Sequence, residues 1–186
     1  MESDALSAGV MRGGLVNTAE IKILICYLFD SVLQPICGQD LAEILFHEGI
    51  ANYFEVDNAI SELKNTGMLN LIDGETDKYV ITDKGSDAAT TLKTSLPFTI
   101  RKKAYSATVK MLAAARNYEE TKFSVEPRDK GCIISCSAYD HDLELLTLRI
   151  AVADEQQAAT VKERFVANPG EVCRKIIDFV LENKNE

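Results

Sequence analysis

Few side chains in this chain are of the types that perform chemistry, and their spacing limits what they can do. The histidines are His47 and His141, and the cysteines are Cys26, Cys37, Cys132, Cys136 and Cys173. Asp140, His141 and Asp142 put three metal-ligating types in a row. Adjacent residues in a turn cannot surround an ion without ligands from elsewhere, so they are expected to be solvated turn residues. Cys132 and Cys136 lie four apart, on one face of a strand, with no CxxC in the chain. Without a nearby histidine partner, such thiols read as small buried hydrophobes rather than zinc ligands. His47 falls near a predicted helix C-terminus, where a cation is favoured. No GxGxxG, GxxxxGK[ST], HExxH or GxSxG occurs. The five cysteines have no obvious activating cation, so none is named as a nucleophile. The expectation is a protein that is not an enzyme and needs no cofactor and no metal.

The 186 residues fit one or two small domains, and 46% hydrophobic residues are enough for a core. Apolar runs are short and broken by charge, so no membrane partner is expected. The first 16 residues are acidic where a signal peptide is basic and lack an apolar stretch. They read as a flexible leader. An odd cysteine count without a secretion signal points to reduced thiols and a cytoplasmic protein. The formal net charge of −9 is unevenly spread. Residues 1–96 hold 6 Lys and Arg against 15 Asp and Glu, whereas residues 97–186 hold 14 of each. All of the net charge therefore sits in the first half.

Periodicity gives the elements that must position any site. Ile21, Leu24, Ile25, Leu28 and Phe29 recur at helical spacing behind Asn17 or Thr18 as cap. Pro35 forces extension, so Ile36 and Cys37 are expected in a short strand. Gln39 or Asp40 caps a second helix through His47, closed by Gly49. Asn52 caps a third helix with Tyr53, Val56, Ile60 and Leu63 inward, ended by Gly67. Met68–Ile72 and Tyr79–Thr82 flank an Asp- and Gly-rich turn, a hairpin. Thr82 then caps a helix through about Thr94. This places one domain at 17–96.

Pro97 opens a linking helix over 97–120. Ile100, Ala104, Ala107, Met111, Ala114 and Tyr118 follow a 4-3-4-3-4 spacing, close to the coiled-coil period. The stripe serves equally as a dimer seam or as packing on its own chain. Residues 121–186 form a second domain. Phe123 and Val125 share a face, as do Cys132, Ile134, Cys136 and Ala138, and Leu146, Leu148, Ile150 and Val152. These are three antiparallel strands with one buried face. Asp154 caps a helix carrying Ala158, Val161 and Phe165, and a last helix presents Val172, Ile176, Ile177, Val180 and Leu181. Both helices are expected to cover the sheet. The fold class is α+β.

The stretch from Ala59 to Ile72, followed by Tyr79–Gly85, resembles the winged helix of bacterial regulators of the MarR and PadR type. The carrying residues are Leu63, Gly67, Met68, Leu69, Tyr79, Ile81, Thr82 and Gly85. That resemblance covers about residues 17–95. The whole chain also resembles an uncharacterised family of bacterial winged-helix proteins with an extra C-terminal α+β domain. The resemblance implies an N-terminal winged helix-turn-helix domain whose third helix enters the major groove. Its outward residues are then Asn58, Ser61, Asn65 and Phe54, with Asp57 and Lys64 beside them. Asn reads adenine, and Ser meets bases or phosphates. Lys78 and Lys84 would reach phosphate from the wing. Arg101, Lys102 and Lys103 either add phosphate contacts, form a solvated helix turn or pair with the acidic domain.

Charge opposes DNA as the partner. Binding proteins commonly make ~6–10 phosphate contacts, yet residues 1–96 hold only six basic residues in all, and Glu55, Glu62, Glu75 and Asp77 lie near the proposed surface. Two functions therefore stand at this stage. One is a homodimeric DNA-binding regulator. The other is a winged-helix module that binds a protein and not DNA.

Overall fold

The computed structural model describes residues 9–181. The chain is α+β and divides into two compact units, Met1–Leu112 and Ala113–Glu186. The first unit runs α1 (Thr18–Val32), β1 (Ile36–Cys37), α2 (Gly38–His47), α3 (Tyr53–Asn65), β2 (Leu69–Leu71), β3 (Lys78–Ile81) and α4 (Asp83–Leu92). A 3-10 turn at Lys93–Ser95 leads to α5 (Phe98–Glu119), in which the boundary between the units falls. The helix expected through Thr94 thus tightens into a 3-10 turn after Leu92.

Local chemistry sets the helix starts. Asn17 Oδ1 accepts from Ala19 N at 2.8 Å, Asn52 Oδ1 from Phe54 N at 2.9 Å, and Thr82 Oγ1 from Gly85 N at 3.2 Å. Each satisfies a donor left over by the first helical turn. The expected cap of α2 at Gln39 or Asp40 is not the observed one. The N-cap is Cys37, and it supplies no side-chain bond. Asp77, from the start of the second hairpin strand, supplies it instead. Its carboxylate accepts from Gln39 N at 2.7 Å and from the Cys37 thiol at 3.3 Å, and its carbonyl accepts from Gly38 N at 2.9 Å.

β3 lies between β1 and β2, antiparallel to both, with Ile36 opposite Tyr79 and Leu69 opposite Ile81. Beneath this small sheet the inward stripes of α1, α2 and α3 form one core, in which Ile21, Leu24, Leu41, Leu45, Val56 and Leu63 are almost fully buried. Gly85 shows why a small residue follows Thr82 by three. A Cβ there would stand 2.4 Å from the Met68 carbonyl oxygen, so only glycine lets α4 start so close to β2. Residues 1–8 of the expected leader lie outside the described residues. From Gly9 on, the segment is tied down: Met11 N donates to Gly49 O, Leu15 N donates to Ile50 O, and Leu15 is buried.

The stripe of α5 is largely consumed by its own chain. Ala104 joins the first core, Ile100 and Met111 pack against it, and Ala107 is buried. Ala114 and Tyr118 are exposed. Ile100, Ala104 and Met111 thus already have apolar neighbours in the first unit, which favours packing on its own chain for this part of the stripe.

The second unit runs β4 (Thr121–Pro127), β5 (Cys132–Asp140), β6 (Leu143–Val152), α6 (Glu155–Ala167) and α7 (Pro169–Leu181). The sheet order is β4-β5-β6, all antiparallel. Phe123 faces Cys136, and Ile134 faces Ile150, as the alternation requires. Asp154 caps α6 by accepting from Gln157 N at 2.7 Å. Ala158 and Phe165 of α6 are buried against the sheet. The expectation that α7 also covers the sheet is not met. Only Val172 and Cys173 of α7 pack on this core, while Ile177, Phe179, Val180 and Leu181 are exposed. Among the described residues no helix is long and apolar enough to cross a membrane.

Two stability outcomes follow. Asp77→Ala removes the distant cap of α2 and is expected to cost about 1–2 kcal/mol, read as a lower urea midpoint at unchanged m. Burial pushes the Cys26 thiol from its ordinary 9.0 up to about 11. Its folded value exceeds the unfolded one, so the stability it brings is complete below pH 9 and is lost as pH rises toward 11. Denaturant titrations at pH 8 and pH 10.5 should show a loss that Cys26→Ala reduces, even though the variant starts less stable.

Candidate nucleic-acid interface

α3 carries two chemically different faces. Val56, Ala59, Ile60 and Leu63 lie in the core. Phe54, Asn58, Ser61 and Asn65 recur at spacings of four and three on the other side, and all are exposed. Phe54 is 71% exposed, unusual for a phenylalanine, and stacks edge-on against Tyr53 at 5.5 Å between ring centroids. The side chains of Asn58, Ser61 and Asn65 make no hydrogen bond to another described residue. Their amide and hydroxyl groups are therefore available to a partner. Lys64 lies beside them, exposed.

The other predicted cations, Lys102 excepted, are spent within the chain. The Lys84 ammonium donates to Thr66 O at 2.8 Å, closing the C-terminus of α3 where a positive charge is favoured. Lys78 lies 3.9 Å from the Glu75 carboxylate. The Arg101 guanidinium sits 5.8 Å from the ring centroids of both Tyr27 and Phe98. Such contact over an aromatic face is favourable and turns the charge away from solvent. Its Nε is buried with no hydrogen-bond partner among the described residues. Lys103 pairs with the Glu48 carboxylate at 3.3 Å and also donates to the Glu48 carbonyl. Lys102 remains exposed and lines a shallow groove with Thr99, Ser106 and Lys110.

Most of the acids near α3 also have partners of their own, although Asp57 of α3 stays exposed beside Asn58. Glu62 pairs with Lys22 of α1, and Glu55 accepts from the Thr18 hydroxyl at 3.2 Å. Glu75 meets Lys78, and Asp77 caps α2. Asp77 also holds the nearby Tyr79 phenol above its ordinary range, second to burial as a cause, and burial with the same carboxylate raises the Cys37 thiol. What remains on the outward face of α3 is close to neutral and rich in hydrogen-bonding groups.

The structure places Asn58, Ser61, Asn65, Phe54 and Lys64 together on the exposed side of α3. Sequence reasoning missed Lys22, whose pairing with Glu62 spans 40 positions, because Lys22 lies outside every local pattern of that helix. Behind α3, an almost wholly apolar depression of about 270 Å³ is lined by Ile23, Cys26, Leu63, Met68 and Leu92, with Lys22 and Glu62 also on its wall.

The residues that carry chemical potential elsewhere do not assemble. All five cysteines are free thiols. His141 Nδ1 lies 2.9 Å from Asp140 on an exposed turn, and among the described residues no three His, Cys, Asp or Glu side chains converge to hold a metal. No curated protein and no solved structure matches the chain. A family described as a domain of unknown function, DUF4364, matches residues 21–180. With that span covering most of its 186 residues, the chain belongs to the DUF4364 family.

Proposed function

We propose that this protein is a homodimeric winged-helix regulator that reads DNA bases through α3 and relies little on phosphate. The outward strip of α3 carries the reading. Asn58, Ser61 and Asn65 stand exposed and without partners among the described residues, on a helix whose other face is locked into the core. A helix fits the major groove, where Asn pairs bidentately with adenine and Ser meets bases or phosphates. The element order with β3 between β1 and β2 supports the winged-helix assignment, the β2–β3 turn being the wing. Regulators of this architecture pair two readers on a two-fold site, which supports a homodimer.

A second reading has an observation of its own. Lys22, Lys78 and Lys103 are each matched to a glutamate of the same unit. A surface that spends its cations internally also suits a protein partner, with exposed Phe54 as the anchor.

Selection from random genomic fragments at ~50 and ~200 mM salt separates the two. The regulator reading expects one palindromic site to be enriched. Asn58→Ala should cost about 1–3 kcal/mol on that site and relax its sequence preference. The salt dependence should be shallow. Lys64 and Lys102 make four such cations per dimer, so log K should fall against log salt with a slope of about −4. No DNA retained at the lower salt removes this reading in favour of the protein-binding module.

A further inference from the structure

We propose that the open edge of β6 is the surface through which two copies of this chain pair, fusing two three-stranded sheets into one of six strands. The inference deepens the homodimer of the preceding reading and is independent of what α3 touches.

The two edges of the second sheet are built differently. β4 carries Lys122, Glu126 and Pro127 along its seven residues, and charged residues and proline are the features that stop an edge from recruiting another strand. β6 lacks this protection. From Leu146 to Val152 it reads Leu-Thr-Leu-Arg-Ile-Ala-Val, with no proline, no glycine and one charge. That charge is engaged on its own chain, since Arg149 donates to the Glu126 carboxylate at 2.7 Å. The bulge of this ladder lies between Ala138 and Tyr139, at the turn end, so pairing from Leu146 to Val152 is regular. A straight run of backbone donors and acceptors is therefore left on the outer side of β6.

The apolar face of the sheet is incompletely covered at its edges, with Val125 of β4 as well as Ile150 of β6 exposed. α6 lies mainly over the central strand β5 and reaches both of its neighbours; Phe165 stacks edge-on against Phe123 at 6.1 Å, and Lys162 lies over the Phe123 ring at 5.4 Å. On β6, Leu146 and Leu148 are only half-buried, and Ile150 is 36% exposed. Leu146, Leu148 and Val152 of β6 pack on the core of this unit, and Ile150 is left at its margin.

A second copy suits this edge better than a foreign strand. A strand that pairs antiparallel with itself forms a closed two-fold contact. A two-fold axis at Leu148 sets Leu146 opposite the partner's Ile150, and Thr147 opposite the partner's Arg149. Apolar residues then meet on the inner face, and no like charges face each other across the join. The exposed apolar residues of α7 give this unit a further reason to seek cover.

The test uses the full chain without DNA. Light scattering at micromolar concentration should give twice the 20.5 kDa chain mass. Hydrogen exchange should show alternate amides of Leu146–Val152 protected, with exchange that quickens on dilution, while outward amides of β4 exchange fast at every concentration. Ile150→Lys should weaken self-association at least about tenfold by placing a charge in the apolar join, with circular dichroism unchanged. A monomer at every concentration overturns the proposal, as does a dimer whose β6 amides exchange as fast as those of β4. A dimer that retains no DNA overturns the regulator reading and leaves this one standing.

Discussion

The first unit depends on a carboxylate that the sequence places in a hairpin and the fold places at a helix end. Asp77 receives Gln39 N and the Cys37 thiol on its side chain and Gly38 N on its carbonyl. Those bonds fix β3 to the junction of β1 and α2, so that the hairpin, the short strand and the second helix cannot shift independently. Because β3 also pairs with β2, which follows α3, the same anchor limits where α3 can point. A side chain 38 positions away does work that a local cap does elsewhere, and it also ties two segments together.

That bond changes the meaning of the acidic first half. Asp77 is a structural acceptor, Glu62 and Glu75 are matched to lysines, and Glu55 takes a hydroxyl. Exposed pairs of this sort contribute little stability, roughly 0–1 kcal/mol each. Their larger consequence is electrostatic. The two lysine–glutamate pairs each cancel one repulsive charge and one useful cation at once, whereas Asp77 and Glu55 accept from neutral donors and keep their charge. Specific hydrogen bonding is the recognition chemistry left to such a surface, and long-range attraction is not.

The sequence was legible wherever the physics is local. Asn17, Asn52, Thr82 and Asp154 cap the helices they were expected to cap, because each bonds two or three residues ahead. The strand faces of the second unit were legible because a period of two leaves no choice of side. The strip Asn58, Ser61 and Asn65 was legible as the complement of the buried stripe of α3. Long-range satisfaction was not. Nothing near Cys37 shows that Asp77 caps α2, and nothing near Lys22 shows Glu62. The stripe of α5 was legible as apolar but not as to whose core it joins, since periodicity marks a face and not its neighbour. α7 failed for the same reason.

The contrast between the two cores follows from how each sheet is covered. In the first unit three helices and α5 surround a small sheet, and small residues such as Ala59 and Ala104 let them close on one another. In the second, one helix serves a sheet whose strands run to ten residues, and it lies mainly over the central strand. A helix is about 10 Å across and neighbouring strands lie about 4.8 Å apart, so one helix spans roughly two strands. Three strands therefore need a second cover, and α7 provides it only through its first turn. The first unit is thus self-sufficient and can expose a polar strip without weakening its core. The second carries unspent apolar surface and unspent backbone bonds, which is the physical condition for association.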